Sequence, residues 1–263
     1  MDSDVFLVEI DGGVARCSIN RPQDMNALSV ELGYPMVEGL SRVLADDAVR
    51  VIVLRGEGGN FCSGADLNLL GDNLDPVFLN QSMKAVAEII HELYTGPKPV
   101  ITAVDGFAVG GGLGLALASD ITYATERAKF CMGFIKIAAA PDMGSSYFLA
   151  ERVGLVKAKE MAFTGDIVEA QEALRIGLVN KVVEHAKISN EVMELATYIA
   201  TKSPEALAAT KRMMNGSHLL DLRSVLDLEV NVQPIMLLSE EHRAAIKKIF
   251  ERWEQGFGAR NER

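Results

Sequence analysis

The residues of this chain best suited to chemistry lie in "KIAAAPDMGSSYF", Lys136 to Phe148, where one carboxylate, Asp142, stands between an apolar run and a run of small residues. A carboxylate that its neighbours keep dry is a stronger base than one in water. The commoner use of an aspartate just after a proline is to cap a helix, here one beginning near Gly144 or Ser145. Two glycine-rich stretches could supply what a base needs beside it. In "GFAVGGGLGLALASD", Gly106 to Asp120, an apolar run, a glycine turn and a helix pattern place free backbone N–H groups at a positive helix end. "GGNFCSGADLNLL", Gly58 to Leu70, is a second glycine turn after a buried run. Two such turns at neighbouring strand ends can aim N–H groups at one carbonyl oxygen. Taken singly, each also reads as glycine used for close packing. A dinucleotide loop is disfavoured, because Gly112-x-Gly114-x-x-Leu117 lacks the third glycine and no ribose-binding acid follows.

Strands and helices must hold these turns. "VFLVEI" and "VARCSIN" flank Asp11-Gly12-Gly13 and read as a hairpin. A helix is expected from Ser29, as N-cap, to Ala45, and another near Val77 to Tyr94. "VRVIVLRGEG" and "KPVITAVDG" read as buried strands, so strand and helix alternate as in an α/β fold with crossover connections. From about Val168 the pattern turns helical, with one strand-like run, "LVNKVVE". Met213, Met214, Leu219, Leu220, Leu222 and Leu226 in this tail need a cover, either the chain's own core or another subunit. The expected organisation is a core domain over 1–195 and a helical C-terminal region over 196–263.

At 263 residues, 49% of them hydrophobic, the chain can bury one large core. Its net charge of −10 argues against nucleic acid as a partner, since that needs a basic face. Cys17, Cys62 and Cys131 are odd in number and outside any metal spacing, so neither a disulfide framework nor a metal site is expected. The first residues lack the pattern of a signal peptide, and no run of about 18 apolar residues would span a bilayer. These readings point to a cytoplasmic protein with no membrane partner. Glu126 and Arg127 read as a solvated turn, His185, His218 and His242 as surface or packing residues, and Asp66 as a holder of its turn.

As a set, "NRPQDMNAL", "GGNFCSGADL", "KPVITAVDGFAVGGGLGLALASDITYATERAKF" and "GLVKAKEMAFTGDIVEAQEALRIGLVNKVV" resemble the crotonase, or enoyl-CoA hydratase/isomerase, superfamily from about Arg21 to Val183. The resemblance implies a crotonase-like ββα spiral, a helical C-terminal oligomerisation region forming a homotrimer or dimer of trimers, and an acyl-CoA thioester substrate. Coenzyme A is then part of the substrate, and no separate cofactor is implied. By the same resemblance the thioester oxygen is held by the N–H groups of Ala65 and Gly111. Met25, Asn26, Ala27, Ser63, Gly64, Ala65, Asp66 and Leu67 fall in the CoA-binding segments, with Lys247 or Phe250 assisting from the tail.

Hydratases of that family carry two glutamates at positions that here read Gly114 and Phe134, so the resemblance implies no addition of water by that pair. Asp142 falls where single-carboxylate isomerases of the family keep their acid. One carboxylate suffices to take a proton from C2 of a 3-enoyl thioester and return it to C4. Phe134, Ile137, Ala138, Ala139 and Ala140 would keep it dry, and Gly114 and Tyr147 would help to line the acyl pocket. Two other readings stay open. In one, a hydrolase or dehalogenase, Asp142 attacks carbon; the tryptophan and histidine of the dehalogenase branch align with Phe134 and Ala87, although His91 lies one helical turn later. In the other, the chain binds acyl-CoA without turnover.

Overall fold

The structure is a computed structural model that describes residues 5–69 and 75–258. Its first elements, β1 (Phe6–Asp11) and β2 (Val14–Ile19), form the expected antiparallel hairpin. Gly12 and Gly13 both have positive φ, as a two-residue turn of this hand requires. Helix α1 (Val30–Ala45) begins where its N-cap predicts, the Ser29 hydroxyl accepting a hydrogen bond from the Leu32 N–H. Its buried Leu32, Met36, Leu40 and Val43 recur at helical spacing and face the sheet.

Strand β3 (Val51–Gly56) lies parallel to β2, and helix α2 (Pro76–Thr95) carries the chain to β4 (Val100–Val104), parallel to β3. A short β5 (Phe107–Val109), α3 (Gly111–Leu117), β6 (Ile121–Thr125) and β7 (Lys129–Cys131) follow. Then come α4 (Ser145–Thr164), β8 (Ile167–Glu169), α5 (Ala170–Arg175), β9 (Lys181–Val183) and α6 (Ile188–Ala200). Among the described residues the main sheet runs in the order β1, β2, β3, β4, β6, β9, and β5, β7 and β8 form a smaller sheet.

The two apolar strands are buried on both faces, as their unbroken runs imply. Ile52, Leu54, Val100 and Val104 join the core beneath α1 to α4, while Val51, Val53, Ile101 and Ala103 join a second layer beneath α6. Ile188, Val192, Ala196 and Ala200 form the apolar stripe of α6 in that layer. The division expected between residues 195 and 196 therefore falls inside a helix that belongs to the core, and the first compact unit ends at Thr201.

The second unit, Lys202–Arg263, holds α7 (Pro204–Ser217), α8 (Leu222–Leu237) and α9 (Glu240–Gly258). Here Met214, Leu219, Leu220, Leu222 and Leu226 are exposed on the single chain and Met213 is half-buried. Among the described residues no helix is long and apolar enough to cross a membrane.

Candidate active site

The two glycine turns lie backbone against backbone. After β3 the chain runs beside the β4–β5 connection: the N–H of Phe61 donates to the Asp105 carbonyl at 2.7 Å and that of Cys62 to Phe107 at 2.9 Å. Val109 N–H returns a bond to the Cys62 carbonyl at 3.0 Å. Gly64 then turns with φ +92°, and a Cβ there would stand 2.7 Å from the Val109 carbonyl oxygen, so only glycine fits.

Leu28 brackets the next residue, its N–H donating to the Gly64 carbonyl and its carbonyl accepting from Asp66 N–H, at 2.7 and 2.9 Å. Among the described residues nothing takes the Ala65 N–H between them. On the facing turn Gly110 has φ +54° and is tied by its N–H to the Cys131 carbonyl at 2.9 Å. Gly111 is the first residue of α3, so its N–H has no carbonyl one turn behind it. Ala65, Gly111 and Asp142 line one cavity of about 530 Å³.

Asp142 does not cap α4 with its side chain. Its main-chain carbonyl accepts from the Ser145 N–H at 2.9 Å and hydroxyl at 2.7 Å, and the N-cap is Gly144. Met143 and Gly144 both take left-handed φ, +50° and +69°, a double reversal just after Asp142. Oδ1 of Asp142 is buried without a hydrogen-bond partner, and a Cβ on Gly111 would lie 3.3 Å from it. Burial raises the Asp142 carboxyl above the ordinary aspartate value. A carboxylate with one oxygen held dry, in the cavity that Ala65 and Gly111 also line, is suited to moving a proton.

Of the residues expected at the site, Ser63, Gly64, Ala65, Asp66, Leu67, Phe134 and Ile137 line the cavity with Gly111 and Asp142. Asp66 holds its turn as expected: Oδ1 accepts from the Asn68 N–H and side-chain amide, and Oδ2 lies 3.6 Å from Arg21. Ala138, Ala139 and Ala140 are exposed and are not among the described lining residues; Phe134 is, together with two residues outside the expected set, Leu28 and Met143.

Met25, Asn26 and Ala27 stand behind the wall. Buried Asn26 accepts from the Arg21 N–H and donates to the carbonyls of Glu57 and Asn60, while the Met25 carbonyl accepts from Ser63 N–H. This segment braces the turn that presents Ala65.

Two pocket assignments are corrected. Gly114 is packed away from the cavity, where a Cβ would lie 2.7 Å from the Met143 carbonyl oxygen. Tyr147 points elsewhere, stacked edge-on against Tyr94 and Phe148 with ring centroids 5.9 and 5.5 Å away. Lys247 and Phe250 lie on α9 in the second unit, beside Glu251 and Trp253 respectively.

Phe78, Leu79, Met83 and Val86 of α2 also line the cavity. Leu70, the last residue of the second glycine-rich stretch, lies outside the described residues. Lys136, which no spacing rule singled out, is the one ammonium among the described lining residues.

A family model described as enoyl-CoA hydratase/isomerase matches residues 9–260. The 1,2-epoxyphenylacetyl-CoA isomerase of Escherichia coli K12 is 32% identical, the match covering 92% of this chain and 93% of that protein. An enoyl-CoA hydratase/isomerase structure from Cupriavidus metallidurans CH34 superposes with a TM-score of 0.88 at 36% identity, over 95% of this chain and 94% of the other. A Thermobifida fusca YX protein of the enoyl-CoA hydratase kind, solved with acetoacetyl-CoA, superposes with a TM-score of 0.82 at 29% identity, over 89% and 95% of the two chains. The sequence blocks, the strand and helix order and the paired glycine turns thus agree with matches that run nearly end to end, and this chain belongs to the enoyl-CoA hydratase/isomerase, or crotonase, family.

Proposed function

We propose that the protein is an acyl-CoA isomerase that moves a double bond from the 3 to the 2 position of an enoyl thioester. The observation that carries this reading is the state of Asp142: a cavity-lining carboxylate with one oxygen buried, unpartnered and beside Gly111. Asp66, the other lining carboxylate among the described residues, is engaged by Asn68 and Arg21. The thioester oxygen lies between the N–H groups of Ala65 and Gly111, each donor stabilising the enolate by roughly 3 kcal/mol.

Asp142 takes the C2 proton. The C2–H electron pair moves into the dienolate, its charge resting on the held oxygen. Asp142 then gives the same proton to C4, and the double bond reforms between C2 and C3. Nothing is consumed, and the coenzyme A is carried by the thioester itself.

Two features support isomerisation over hydration. Phe134 fills one hydratase carboxylate position, and at the other, Gly114, even a Cβ would strike the Met143 carbonyl. The protein also belongs, on this reading, in the cytoplasm, where its three buried free thiols stay reduced. The test is to incubate the purified chain with a 3-enoyl-CoA and with a 2-enoyl-CoA. Conversion of the first to the second is expected; fast hydration of the 2-enoyl ester without isomerisation of the other would overturn the reading.

A further inference from the structure

A second cavity, of about 420 Å³, opens on the α6 side of the main sheet. Its polar residues follow from strand alternation. Arg16, Arg55, Asp105, Arg127 and His185 each come two residues after Val14, Val53, Ala103, Thr125 and Val183, so they continue the sheet face that these residues bury. Four of the five stand at or beyond the C-terminal ends of parallel strands β3, β4, β6 and β9, the end at which open α/β sheets take ligands.

Asp105 fixes the cluster. Its carboxylate accepts from Nε and Nη2 of Arg127, both at 2.6 Å, and from the Thr125 hydroxyl at 2.7 Å, and Nδ1 of His185 lies 2.9 Å from it. Arg16 and Arg55 pair with Glu9 and Glu57, carboxylates outside the lining, in partly exposed contacts that hold weakly.

The lining therefore sets three guanidinium groups against one carboxylate, in a chain whose net charge is −10. Guanidinium forks match phosphate oxygens two at a time. Behind them Val53, Ile188, Val192 and Met193 offer an apolar wall for the rest of a molecule.

We propose that this cavity is a second small-molecule site, separate from the acyl-CoA cavity, and that it takes a phosphate monoester. Arg16, Arg55 and Arg127 hold the dianion, and the α6 wall holds the organic body. The proposal does not rest on the isomerase reading.

Titration calorimetry on the full chain, at fixed ionic strength, tests it with inorganic phosphate, AMP and adenosine. Saturable AMP binding, at one per chain and at least tenfold tighter than inorganic phosphate, is expected, with none for adenosine. Arg55→Ala and Arg16→Ala, which leave the Asp105 cluster intact, should each weaken AMP at least tenfold. Asp142→Asn, and saturation with a non-reactive acyl-CoA, should leave AMP binding unchanged. Absence of saturable AMP binding at millimolar concentration overturns the site. So does binding of inorganic phosphate alone, displacement of AMP by the acyl-CoA, or full affinity in both arginine variants.

Discussion

Asp142 pays for its reactivity in stability, and the two effects can be separated by one substitution. Because burial raises its value in the folded chain, the folded state binds this proton more tightly than the unfolded one. The favourable contribution is therefore full below the unfolded value and is lost as pH rises through the folded value; at neutral pH the ionised group costs stability. Asp142→Asn should accordingly lower isomerase turnover by about 10³-fold or more, leave acyl-CoA binding within a few-fold, and raise stability by about 1 kcal/mol at neutral pH. Thermal melts of both proteins should show the variant's advantage shrinking as pH falls towards the ordinary aspartate range. A variant no more stable than wild type at pH 7 and equally active would remove Asp142 from the chemistry. In the wild type, kcat/KM should fall on the acid side with an apparent pKa above the ordinary aspartate value, since the base must be ionised.

The elements explain why that aspartate has no partner carboxylate. Gly114 sits on α3 where it meets the Met143–Ser145 turn, so restoring a glutamate there forces Cβ to within 2.7 Å of a carbonyl oxygen. Gly114→Glu should destabilise the chain by about 2 kcal/mol or more and yield no hydratase activity; efficient hydration by this variant would show that the turn moves readily. Gly64→Ala tests the other wall of the site. Its left-handed backbone and the 2.7 Å approach to Val109 predict a similar loss of stability, with turnover falling further because the Ala65 N–H moves.

These elements were unevenly legible in the sequence. The runs "VRVIVL" and "PVITAV" announce strands buried on both faces, and Ser29 announces its helix, because burial and capping leave local patterns. Pairing of the two glycine turns was foreseeable, since closely approaching backbones exclude Cβ. Tyr147, in the first turn of α4, is close in sequence to Asp142, but its ring packs against Tyr94. The Arg127–Asp105–His185 cluster brings together residues from three strand ends, and a contact spanning so much chain leaves no periodic trace; Arg127 and His185 consequently read as surface.

At the scale of the whole molecule, the second unit is the part the single chain leaves incomplete. No residue of α8 is buried, although Leu222, Leu226 and Val230 recur along it at helical spacing. A sixteen-residue helix with an uncovered apolar stripe gains little from propensity alone and needs packing to persist. The family resemblance supplies the partner we propose, further copies of this chain in a trimer or dimer of trimers. Light scattering should then give three or six times the chain mass of 28.5 kDa. Leu222→Glu with Leu226→Glu places charge on the stripe and should shift the protein to monomer, with the helical signal of the tail melting earlier than that of the core. A wild-type protein that is monomeric at tens of micromolar, with a tail as stable as its core, would show that the stripe needs no partner.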